Sequence, residues 1–214
     1  MAEILSPNML KTFEQCPKRF FFRYVKSISM PVNDEIFVTG KNIHALASYY
    51  LKKENIDKME LSLNEKEKEL WKYLKSCKYF SYDVVDTEYS LSVKIGKRFF
   101  GGRLDALVTN KNKYYILDYK TGSAPKDSEN DFQTMIYLMS VRARFKTENI
   151  TFVYLDLKNK KETVIELTSE LVRKYEQRLT EIAEKIEKSD YKVSNKGCSS
   201  CEYGIICYDK KLPD

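Results

Sequence analysis

A single β-hairpin constrains this chain more than any other segment. Residues 102–122 read GRLDALV, TNKNK and YYILDYKTG, two apolar runs joined by a turn signal. Ile116 and Leu117 make the second run apolar on both faces, the mark of a central strand, yet it carries Asp118 and Lys120. The midpoint between positions 105 and 118 falls between Lys111 and Asn112, so a four-residue loop sets Asp105 directly across from Asp118. Period-two alternation adds Lys120 to the same face. Carboxylates opposed across a ladder repel, so the pattern calls for a cation between them. Hard oxygen ligands suit Mg2+ or Mn2+. Such an ion polarises a phosphoryl group and acidifies a water, while the lysine orients that water or offsets developing charge. The chemistry this implies is phosphodiester hydrolysis. Taken alone, the same residues also fit a solvated surface hairpin with an ordinary ion pair.

Around the hairpin the pattern is α/β. Ser6 and Pro7 open a short helix that stops near Cys16 and Pro17. The basic and aromatic run KRFFFRYVK follows, and residues 31–34 break the pattern. Helical periodicity resumes from Gly40 through Ile43, Leu46, Ala47 and Leu51, and again over residues 64–76. Alternating runs at 84–95, 98–108 and 114–120 predict an antiparallel meander. A helix over 129–145, strands near 150–157 and 162–167, and a long amphipathic helix through Leu171, Tyr175, Leu179, Ile182 and Ile186 complete the body. Gln133 and Tyr137 share one face of the 129–145 helix, and Glu88 lies on the polar side of the first strand as a further candidate near the metal. The longest uncharged apolar-leaning run, 134–141, is far too short for a membrane span, and MAEILSPNMLK lacks the form of a signal peptide. The expected location is therefore the cytoplasm, the host cell interior.

Asp105, Asp118 and Lys120 together resemble the D...(D/E)xK motif of the PD-(D/E)XK nuclease superfamily. Three further features are similar to its RecB-like branch, including the CRISPR-associated exonucleases of spacer acquisition and the AddB nuclease domain. These are GKNIH at 40–44, QTMIY at 133–137, and the cysteine pattern. The opening SPNMLKTFEQCPKRFFFRYV also looks like the start of such domains. The resemblance implies a restriction-endonuclease-like central mixed sheet flanked by helices. It implies one nuclease domain over 1–214, with a helical part at about 6–80, a core at about 82–190 and a cluster-binding tail at 196–214. His44, Asp105, Asp118 and the Tyr119 backbone carbonyl would then ligate the metal, Lys120 would position the water, and Gln133 and Tyr137 would steer the phosphate or the lysine.

Five cysteines, an odd number, argue against a disulfide framework. Cys198, Cys201 and Cys207 read C-x2-C-x5-C in an aperiodic tail, a metal-site signature. A fourth ligand is needed, and Cys16, beside Pro17 at a helix end, suits better than Cys77. Zinc or free thiols remain open on spacing alone; the resemblance implies a [4Fe-4S] cluster pinning the two chain ends together. With 37 Lys and Arg against 31 Asp and Glu, and 16 tyrosines, the chain suits a polyanion. The resemblance implies an exonuclease, a single-strand endonuclease or both, in CRISPR adaptation, recombination and repair, or viral DNA processing, and the expected partner is DNA, single-stranded or with free ends. Lys18, Arg19, Arg23, Arg142 and Arg144 are its candidate backbone contacts. Phe20, Phe21 and Phe22 are read as core before base-stacking. With no phosphate-loop motif present, unwinding would fall to a separate helicase, and a CRISPR integrase complex is the other candidate partner. The alternative function is a catalytically weak or inactive DNA-binding scaffold of the same fold.

Overall fold

The structure is a computed structural model that describes residues 4–31, 38–194 and 197–207. The expected break at 31–34 falls mostly outside the described residues, as do Lys196 and positions 208–214 of the tail. Six strands form one mixed sheet: β1 (Ile4–Leu5), β2 (Asp83–Ile95), β3 (Arg98–Asn110), β4 (Lys113–Lys120), β5 (Ile150–Asp156) and β6 (Lys161–Glu166). Their order is β1-β3-β4-β5-β6, with β2 also on β3.

β2, β3 and β4 make the antiparallel meander that alternation predicts. The hairpin loop, however, is two residues rather than four, since Asn110 pairs with Lys113. Lys111 and Asn112 turn it with φ of 48° and 64°, the left-handed pair that matches strand twist. Because both loops share a midpoint, the register survives the correction. β4 and β5 run parallel, which requires a crossover.

The helices are α1 (Pro7–Gln15), α2 (Pro17–Phe20), α3 (Val38–Leu51), α4 (Asp57–Ser62), α5 (Glu65–Ser76), α6 (Phe132–Phe145) and α7 (Ser169–Glu187). The crossover is α6, and it starts at Phe132 instead of 129 because Asp131 caps it, accepting the Gln133 N–H at 2.8 Å. After α2 the aromatic run continues as a π-helical turn, Phe21–Val25.

Two cores sandwich the sheet. One packs Leu10, Phe100, Ile116, Ile136, Phe152 and Tyr175, joining α1, α6 and α7. The other packs Ile43, Leu46, Leu74, Ala106, Leu117 and Val153, joining α3 and α5. All seven residues of β5 are buried, which fits the interior of the sheet, where each fully buried large side chain stabilises by roughly 1.5–3 kcal/mol. Among the described residues no helix is long and apolar enough to cross a membrane.

Helix α5 carries a full capping box. The Asn64 side chain accepts the Glu67 N–H, and Glu67 accepts the Asn64 N–H, both at 3.0 Å. Glu67 also accepts from Asn42 of α3 at 2.9 Å, so the cap locks the helix that bears His44. We expect Asn64→Ala to cost about 1 kcal/mol and to lower the melting temperature by about 2–4 °C. Thermal unfolding followed by circular dichroism checks this; an unchanged midpoint would show the box to be idle.

Candidate active site and cysteine pocket

Acidic residues from three neighbouring strands meet in one row. Thr87 pairs with Ala106 and Tyr89 with Leu104, which leaves Glu88 of β2 facing Asp105 of β3. Ala106 pairs with Leu117, so one step further along that register Asp105 meets Asp118 of β4. Glu88 has a φ of 51°, a left-handed backbone uncommon outside glycine that persists where its surroundings over-determine it. Arg103 holds its carboxylate at 2.9 Å.

At Asp105 the alternation of β3 slips. Leu104 packs in the core of α1, α6 and α7, whereas Ala106, two positions on, packs in the opposite core. The Asp105 carboxylate reaches toward β4, where Oδ2 accepts the Tyr119 N–H at 2.7 Å. Strict alternation, with all three motif side chains on one face, is therefore not what forms. Asp118 and Lys120 stand together on one face, and Asp105 meets β4 through its backbone.

His44 arrives from α3. Nδ1 lies 3.1 Å from Asp105 Oδ1, and Nε2 lies 2.9 Å from the Tyr119 carbonyl oxygen. Both ring nitrogens thus face an acceptor, an arrangement that favours the protonated ring as long as no metal takes its place. Burial opposes that charge, but the Asp105 hydrogen bond and the charges of Asp105 and Asp118 outweigh it and raise the His44 pKa. Ligand atoms of His44, Glu88 and Asp105 all lie within 4.8 Å of one another. A ring nitrogen, two carboxylates and a backbone carbonyl meet there, a donor set that suits a hard divalent ion once the ring gives up its proton.

Asp118 is 2% exposed. Burial first, then the Asp105 charge, push its carboxyl up to about 6, against the opposing pull of Lys120 and His44. Lys120 Nζ lies 2.7 Å from Asp118 Oδ2. Gln133 bridges the two: Nε2 donates to Asp118 Oδ1, and Oε1 accepts from Lys120 at 3.2 Å. Tyr137, one turn along α6, does not extend that bridge. It is buried, and its hydroxyl donates to the Arg103 carbonyl at 2.8 Å, bracing β3 two residues before Asp105. A Cβ at Gly102 would come within 3.0 Å of the Tyr137 ring, so glycine there lets strand and ring approach.

The remaining basic candidates sit apart from this row. Arg19 and Arg23 pair with Glu202 of the tail at 2.7 and 3.9 Å. Arg142 pairs with Glu148 at 2.9 Å, and Arg144 reaches the Tyr89 hydroxyl at 3.4 Å. Lys18 lies over the Phe21 and Phe22 rings at 5.7 and 5.6 Å. The groove that opens on His44, Glu88 and Asp105 is lined instead by Lys41, Tyr49, Lys52 and Arg103, none of which the sequence reading singled out. The available signal was the outward stripe of α3, which motif spacing does not register.

Cys16, Cys198, Cys201 and Cys207 line one pocket with Lys18, Arg19 and Phe22. The chain ends are held there by Ser194 donating to the Gln15 carbonyl, by Arg19 with Glu202, and by the Tyr203 hydroxyl donating to the Ile28 carbonyl at 2.8 Å. Phe20 is buried in the core, and Phe22 packs on Tyr203 at 5.5 Å. Cys16 is the N-cap of α2. Burial raises its pKa, but hydrogen bonds from Ser194, Arg19 and Lys18 more than reverse this and leave it lowered, which favours the ligating thiolate. Cys77 lies elsewhere, in the α3 and α5 core, with its pKa pushed by burial up to about 11. Four cysteines lining one pocket are donors of the kind a soft, sulfur-ligated metal group takes.

The profile of the PD-(D/E)XK nuclease superfamily matches residues 4–81 and 63–208. The chain belongs to this superfamily. Among curated relatives, the CRISPR-associated exonuclease Cas4 of Francisella tularensis subsp. novicida (strain U112) is 29% identical over 126 residues. That match spans 57% of this chain and 63% of Cas4, less than two thirds of its length. A Eubacterium rectale protein, whose crystal structure is described as that of a candidate exonuclease, superposes with a TM-score of 0.62 at 12% identity. That superposition covers 99% of this chain and 91% of the other, a likeness of fold. The mixed sheet flanked by helices is the restriction-endonuclease-like fold of this superfamily.

Proposed function

We propose that this chain is a divalent-metal-dependent deoxyribonuclease acting on single-stranded or free-ended DNA, an exonuclease in keeping with its Cas4 relative. The observation that carries the reading is His44, held between Asp105 and the Tyr119 carbonyl with Glu88 beside it. His44, Asp105, Asp118 and the Tyr119 carbonyl would hold Mg2+ or Mn2+, with Glu88 as a further ligand. When bound, the ion supplies Lewis-acid polarisation of the scissile phosphate and a more acidic water. Lys120, fixed by Asp118 and Gln133, orients the attacking water and offsets charge on the phosphoryl oxygens. Gln133 keeps the lysine and carboxylate in register, and Tyr137 braces the strand that presents Asp105.

In this reading residues 1–214 form one RecB-like domain, and Cys16, Cys198, Cys201 and Cys207, which line one pocket, would hold a [4Fe-4S] cluster and so fasten the tail. It works in the cell interior, where thiols stay reduced, with an integrase complex or a helicase presenting the DNA end. The test is digestion of end-labelled DNA by the purified protein. Hydrolysis is expected with Mn2+ or Mg2+ and is expected to stop on chelation and resume on adding the ion back. Hydrolysis that persists after exhaustive chelation would sink the metal-dependent reading.

A further inference from the structure

The groove that opens on His44, Glu88 and Asp105 continues along α3. Its wall is one stripe of that helix, in which Lys41, His44, Ala45, Ser48 and Tyr49 lie at three- and four-residue spacing with Ser48 at its buried edge, and Lys52, one residue past the helix end, continues it. The opposite stripe, Ile43, Leu46, Ala47 and Leu51, is buried in the core beneath. An outward face is ordinarily a plain field of solvated charge; this one sets an aromatic ring between two lysines. Tyr49 leaves 43% of its surface exposed. Its neighbour Tyr50 packs on Trp71 and Phe80 at 5.3 and 6.1 Å, so the core already has the aromatic it needs from this turn. From Lys41 to Lys52, whose N–H still bonds back to the Ser48 carbonyl, the turns run roughly 16 Å, room for several nucleotides of backbone. Arg103, which ion-pairs Glu88, adds positive charge across the groove.

We propose that this stripe of α3 seats the DNA strand flanking the scissile phosphate, with Tyr49 stacking on an unpaired base while Lys41 and Lys52 neutralise phosphates on either side. The proposal rests on the reading of the site as a DNA nuclease and adds the source of its preference for single strands. Base–aromatic stacking requires an exposed base face, which a duplex keeps inside its own stack.

The test is binding of a short fluorescent single-stranded oligonucleotide, and of the matching duplex, in chelator, read by anisotropy. Tyr49→Ala is expected to weaken single-strand binding about tenfold, and Tyr49→Phe is expected to restore it. Duplex binding is expected to change less than about twofold with Tyr49→Ala, because no base face is available there. Lys52→Gln should weaken both forms and lower the slope of log affinity against log salt by about 1. Wild-type affinity in Tyr49→Ala, an equal loss on duplex, or no binding by the unaltered protein would each overturn the seat. Hydrolysis of the same strand in Mn2+ separates the two readings. Tyr49-dependent binding without cleavage sinks the nuclease and leaves the seat. Cleavage with Tyr49-independent binding does the reverse.

Discussion

Asp118→Ala is expected to slow DNA hydrolysis at least about 10³-fold, with the protein still folded. Two losses combine. The substitution removes a proposed ligand from an ion whose electrostatic contribution to the transition state is several kcal/mol, and every 1.36 kcal/mol is tenfold in rate. It also frees Lys120, whose ammonium is held 2.7 Å from this carboxylate and steadied by Gln133. Lys120→Ala should follow the same direction with a loss of about 10²–10⁴-fold, the range for a positioned proton-handling group.

The effect on stability runs the other way. Burial and the Asp105 charge hold the Asp118 carboxyl up to about 6, so at neutral pH it is ionised in the fold but at a cost in stability that the unfolded chain does not bear. Asp118→Asn, which removes the charge and keeps the shape, is therefore expected to melt at or above the wild-type temperature in chelator while losing hydrolysis. End-labelled cleavage assays and thermal melts on the same preparations read both quantities. Cleavage surviving in Asp118→Ala and Lys120→Ala would place the chemistry elsewhere in the fold.

What spacing alone revealed, and what it hid, divides along sequence distance. The β3–β4 register was legible because a hairpin's midpoint is conserved whether its loop holds two residues or four, and Lys111–Asn112 is that midpoint. The helix starts at Ser6 and Asn64 were legible for the same local reason, since a cap is chosen by the few N–H groups beside it. The orientation of Asp105 was not. Its slip out of alternation depends on which core claims Leu104 and which claims Ala106, a competition between helices far away in the chain.

Tyr137 shows the same limit. Helical spacing put it on the face of Gln133, but the close approach permitted by Gly102 turns its hydroxyl to the Arg103 carbonyl. The basic residues were the least legible. Charge marks a polyanion partner, but Arg19 and Arg142 are tied to Glu202 and Glu148, and the lysines that line the groove belong to the unremarked outer stripe of α3.

Cys16→Ser is expected to bleach the protein and loosen both of its ends. If the four thiols of the pocket hold a [4Fe-4S] group, the purified protein is brown and absorbs in the visible, and loss of any one ligand opens the cage. Cys16 is the most informative position because it alone comes from the N-terminal side of the pocket. Neither Ser194 with Gln15 nor Arg19 with Glu202 is expected to hold the tail unaided, as such part-exposed contacts contribute about 1 kcal/mol or less each. Metal-group binding energy in a segment without its own core is folding energy. A loss of even about 4 kcal/mol lowers the melting temperature by roughly 8–16 °C in a chain of this size.

Cys77→Ala supplies the contrast. Its thiol is buried in the other core, where it donates to the Tyr73 carbonyl at 3.4 Å, so the colour and iron content should stay at wild-type values. Iron and zinc analysis of the three proteins distinguishes the possibilities. A colourless wild type with one bound zinc replaces the cluster with a zinc site, whereas full iron in Cys16→Ser removes Cys16 from the ligand set and leaves the N-terminal helices to be fastened by packing and by contacts such as Arg19 with Glu202.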